Sequence, residues 1–158
     1  MPSRIGERAE EQWKRVKRYF QRFRDLSREG LIHNSNSETY VDDVYAFFVN
    51  CYHLKDWIQP DDTSPLRGSV GGFGRASSAF PICRDICLGV KHLVVDRPGS
   101  DLSEHRLGRR AVDFNASTGG FTMRVFVRLR TEEREAYEIA EQCMHEWSEF
   151  LGEDPESG

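Results

Sequence analysis

The chain reads as a mainly α-helical domain: a four-helix bundle with a β-hairpin inserted before the last helix. Two observations carry this. Four segments repeat apolar residues at spacings of three and four, the period of one helix face. One segment, 121–130, alternates apolar and polar residues with period two, as a strand with one buried face does. With 158 residues, 38% hydrophobic and 30% charged, the chain is long enough to bury one core. The domain is read as residues 1–152, with the hairpin at about 109–130 and a polar tail at 153–158.

The first helix runs from about Glu7 to Arg28. Trp13, Val16, Phe20 and Phe23 form its apolar stripe, Lys and Arg fill the other faces, and Gly30 is a stop. The second, Ser37 to Ile58, is apolar on most sides, as a central bundle helix is. It nevertheless carries Asn50, His53 and Asp56 along one side. Residues 59–76, dense in Pro and Gly, read as a mobile loop. The minority reading is an anion cradle ahead of the next helix. The third helix, about Ser78 to Val95, has Cys83, Ile86, Val90 and Leu93 as one stripe and Asp85, Gly89 and His92 as another; Asp96 to Gly99 ends it. Arg110 to Phe114 is the partner strand of 121–130. The last helix, about Glu132 to Leu151, is expected to be capped by Thr131 and stopped by Gly152.

No apolar run reaches the roughly 18 residues of a membrane helix, and the charged start is unlike a signal peptide. The expectation is a cytoplasmic protein with no membrane partner, so the match to a glycosylation acceptor at Asn115-Ala116-Ser117 carries no weight. The net charge of −4 hides an asymmetry. Residues 1–30 hold nine Lys/Arg against five Asp/Glu, while residues 132–158 hold one against ten. The basic first helix either pairs with the acidic last one or meets an anionic partner such as RNA. The first of these is favoured.

The four cysteines, Cys51, Cys83, Cys87 and Cys143, all fall within apolar helical patterns and read as small core residues. Cys83 and Cys87 share a face, but no paired Cys-x-x-Cys spacing supports zinc. No Gly-x-Ser-x-Gly marks a serine nucleophile, and Cys87 and His92 point to different sides of their helix.

Three readings of the polar residues on the second and third helices compete. In one, His53 and His92 are structural, paired with Asp56, Asp85 or backbone carbonyls. In another, Arg84, Asp85 and His92 cleave RNA without a metal: the histidine moves the proton and the arginine stabilises the phosphate. In the last, His53, Asp56 and His92 bind a divalent metal. The Arg84-Asp85…His92 pattern resembles the HEPN superfamily of helical domains, found in prokaryotic toxins and in RNA-processing and defence proteins. Its motif is Arg, often followed by a polar residue, then His after four to six residues; here seven intervene. The resemblance implies metal-independent ribonuclease chemistry at Arg84, Asp85 and His92, and a homodimer.

The hairpin offers Arg124, Arg128 and Arg130 along one side of a strand, with Arg109 and Arg110 nearby. These contact phosphate, or they guard a sheet edge against aggregation. The second use is favoured. The preferred function is a binding or assembly module with a protein or RNA partner and no cofactor. The ribonuclease and the metal-binding bundle stand as alternatives.

Overall fold

The computed structural model describes residues 5–29, 37–91, 107–114, 116–117 and 119–153. The expectations for Gly30, for His92 and the helix end up to Gly99, for Asn115 and for the tail beyond Glu153 lie outside these residues.

Helix α1 spans Glu7–Arg24 and runs into a π-helical turn, Asp25–Glu29. Helix α2 spans Ser37–Ile58, α3 Val70–Ala76 and α4 Phe80–Lys91. Strands β1 (Arg110–Phe114), β2 (Phe121–Arg128) and β3 (Glu133–Glu135) precede helix α5, Ala136–Leu151. The fold is the expected helical bundle with a hairpin before its last helix, enlarged by one helix and one strand.

The core follows the stripes. Trp13, Val16 and Phe23 of α1 are buried with Val44, Phe47, Phe48, Cys51, Leu54 and Ile58 of α2. From α4 come Cys83 and Ile86, and from α5 Ile139, Ala140, Cys143, Trp147 and Leu151. Helix α2 buries residues from most of its circumference because it packs extensively on both α1 and α4. The sheet is antiparallel in the order β1-β2-β3. Arg110 pairs with Val125, Val112 with Met123 and Phe114 with Phe121. Met123, Val125 and Val127 point into the core, and Arg124 and Arg128 point out.

Two elements depart from expectation. Residues 59–76 contain helix α3 rather than a continuous loop. The segment after Arg130 does not enter the last helix at Glu132. It forms β3, with Glu133 opposite Arg128 and Glu135 opposite Phe126. Helix α5 therefore starts at Ala136, with Glu135 rather than Thr131 in the cap position. Glu135 does not cap with its side chain. Arg28 donates two hydrogen bonds to its carboxylate, both 2.7 Å, which ties the π-helical turn to the start of α5. The stop is as read: Gly152 takes a left-handed conformation (φ 72°), and Glu153 N–H donates to the Ser148 carbonyl in a Schellman closure.

The charge asymmetry is partly answered within the fold. Lys17 lies 3.7 Å from Glu153, whose carboxylate also accepts from Trp13 Nε1 at 2.7 Å. Other cations of the first segment pair elsewhere: Lys14 with Glu10, Arg22 with Asp43, Arg24 with Glu29.

Candidate functional site

The polar side of α2 splits in two. Asn50 turns to α1: Gln12 Nε2 donates to both its backbone and its side-chain oxygen. His53 and Asp56, one turn apart, meet each other, with Nδ1 2.8 Å from Oδ2. A carboxylate accepts, so Nδ1 carries the proton. Nε2 faces Cys87 Sγ of α4 at 3.6 Å. Lys55 donates to the second oxygen of Asp56 at 2.5 Å. Burial opposes ionisation of Asp56, but the hydrogen bonds from Lys55 and His53 outweigh it and hold its pKa below the usual value. His53 and Asp56 border an open cavity of about 340 Å³ with Arg8, Trp57, Pro60 and Asp61.

This arrangement orders a thiol, an imidazole and a carboxylate in a line. Cys87 is buried, however, and stands in the middle of α4. The donors of a helix N-terminus, which stabilise a thiolate or an oxyanion, are therefore not beside it. For the metal reading, both ring nitrogens of His53 and both oxygens of Asp56 already have neighbours, and His92 lies outside the described residues.

Arg84 and Asp85 come together at 3.0 Å, with Asp85 fully buried and Arg84 about one-third exposed. The third member of the ribonuclease set, His92, is again outside the described residues.

The five arginines at the hairpin separate by role. Arg109 donates twice to Glu133 and lies over the Phe126 ring, 4.0 Å from its centroid. Arg124 faces Asp113 at 3.6 Å. Arg124 and Arg128 stand on β2, opposite Ala111 of β1 and Glu133 of β3 respectively. Arg130 is exposed beyond the end of β2. Of the five, Arg110 alone sits on the edge strand β1.

Two features escape a linear reading. Val112 and Phe114 on β1 are 59% and 71% exposed, the large hydrophobics left uncovered among the described residues. Their alternation was visible in the sequence, but their exposure depends on how far the bundle reaches beneath the sheet. Cys51, Cys83 and Cys143, one each from α2, α4 and α5, bring their sulfurs within 4.8 Å of one another in the core. Only the packing of three helices makes that cluster, and Cys87, which shares a helix face with Cys83, is not a member of it. Comparison with protein-family models, with curated proteins and with solved structures finds no match.

Proposed function

We propose that this chain is an assembly module whose β1 strand pairs with the β1 strand of a second copy. The observation that carries the reading is the edge itself. Among the described residues β1 has a neighbour on one side only, and its uncovered face holds Val112 and Phe114. An unpaired strand bearing apolar side chains is a template for another strand unless charge or bulges block it. Here the block is slight: one arginine and one aspartate in five residues.

Residues directly opposite across antiparallel strands share a face. Val112 and Phe114 therefore lie on the same side of the sheet as buried Met123, but at a position the bundle does not cover. A two-fold antiparallel pairing centred on Val112 places Arg110 of each copy opposite Phe114 of the other, Ala111 opposite Asp113, and Val112 opposite itself. No like charges meet, and a guanidinium faces an aromatic ring. The same patch serves both copies, as an isologous interface requires.

Sedimentation velocity over a dilution series tests this. The expected result is a dimer that dissociates on dilution. Phe114→Lys and Val112→Lys should each give a monomer at every concentration. Because both side chains are exposed, the melting temperature measured on the dilute, monomeric protein should stay within a degree or two of wild type. A wild type that remains monomeric throughout, or a dimer indifferent to both substitutions, overturns the reading.

A further inference from the structure

The three-sulfur cluster stands apart from the hairpin, and its chemistry is independent of the assembly reading. Cys51 and Cys83 are fully buried and Cys143 is 2% exposed. Cys83 Sγ donates to the Phe48 carbonyl at 3.2 Å. Fully buried Trp147 has an indole N–H with no hydrogen-bond acceptor, an uncommon state for a buried donor. That N–H lies close to Cys51. Burial and the neighbouring sulfurs push the Cys83 thiol up, and the bond to Cys51 with burial does the same for Cys143.

We infer that Cys51, Cys83 and Cys143 form a three-sulfur site for a trivalent, thiol-seeking metalloid of the arsenite type. Soft thiolates select soft ions, and charge and coordination number narrow the choice. An ion in a dry core must leave little net charge behind. Three thiolates with zinc carry one negative charge, and with monovalent copper two. Among the charged groups acting on Cys51 and Cys143 is the Glu146 carboxylate, which opposes further negative charge. Three thiolates with a trivalent metalloid are neutral. Zinc also asks for a fourth ligand, and the cluster among the described residues contains three. A trivalent metalloid keeps a lone pair in that direction and needs no fourth.

The exchange balances. Arsenous acid and three thiols react to form three As–S bonds. Three As–OH bonds break, and each hydroxyl leaves as water with one thiol proton. The oxidation state is unchanged, and the reactants and products are all uncharged. Cys83 gives up its bond to the Phe48 carbonyl, and the metal-bound sulfur of Cys51 offers the Trp147 N–H an acceptor. Entry requires transient opening of the core, so uptake should be slow.

The test incubates the reduced full chain with arsenite and reads X-ray absorption at the arsenic edge, with melting temperature alongside. The expected result is one arsenic per chain with three sulfur neighbours and no oxygen, and a raised melting temperature. Cys87→Ser should retain this, and Cys143→Ala should lose the third sulfur. The wild-type spectrum alone decides the matter if the variant does not fold. No uptake, two or fewer sulfur neighbours in wild type, or stoichiometric zinc bound in preference to arsenite overturns the inference.

Discussion

Gly6 precedes α1 with φ of 99°, and a Cβ there would lie 2.4 Å from Asp61 Oδ2. Both facts come from one contact. Helix α1 has no side-chain cap of its own. Asp61, 52 residues beyond Ala9, supplies one: its carboxylate accepts from Ala9 N–H at 3.3 Å, and Thr63 Oγ1 accepts from Glu7 N–H at 3.1 Å. The absent side chain at Gly6 leaves room for that carboxylate. Gly6→Ala should therefore destabilise by about 1–3 kcal/mol through backbone strain and displacement of Asp61, measured as a lower urea midpoint. An unchanged midpoint would mean that Asp61 is not seated as described. None of this was legible in the chain, where Asp61 is one polar residue in a Pro-rich run. A cap supplied locally has a sequence signature, but one supplied by a distant loop has none. The His53–Asp56 pair was legible because one helical turn separates its members. The Cys87–His53 approach was not, because it depends on where α4 settles against α2.

At the scale of elements, the long amphipathic helices were readable because burial and period agree. The apolar positions of α2 and α5 lie in the core much as their spacing requires. The failures occurred where tertiary contact overrides local preference. Helix α3 contains Gly71, Gly72 and Gly74, each of which disfavours a helix. It forms because Phe73 packs against Trp147, Phe150 and Phe80, with ring centroids 4.2, 4.8 and 5.7 Å apart, and because Val70 is buried. Phe73→Ala removes that anchor. The expected loss is about 2–3 kcal/mol, below the range for a fully buried Phe because Phe73 is only partly buried. Limited proteolysis should then cut within 65–78, where the wild type resists. Strand β3 was missed for a related reason. Glu133-Arg134-Glu135 has strong helix formers, and only pairing with β2, together with the Arg28 clamp on Glu135, draws it into the sheet.

Across the whole molecule, the connections are carried by a few carboxylates, and this makes acid the condition that separates them. Asp61 joins the segment after α2 to the start of α1; the Thr63 hydroxyl, with the Thr63 and Ala9 amides, holds its pKa below the usual value. Asp56 is held low in the same direction, by Lys55 and His53 against the cost of burial. A carboxylate with a depressed folded-state pKa binds protons less readily folded than unfolded, so it stabilises the fold wherever the unfolded chain's carboxylates are ionised. The contribution is fully present above the unfolded value of about 3.9 and is lost as pH falls through the depressed one. Urea midpoints of the wild type should therefore fall below about pH 4. Asp61→Asn keeps the shape of the side chain but has no proton to bind. It should be less stable than wild type at pH 6, and the two should converge as the pH drops toward 2. A difference that stays constant across this range would show that the Asp61 tether acts by shape and hydrogen bonding alone, without the charge that sets its pKa.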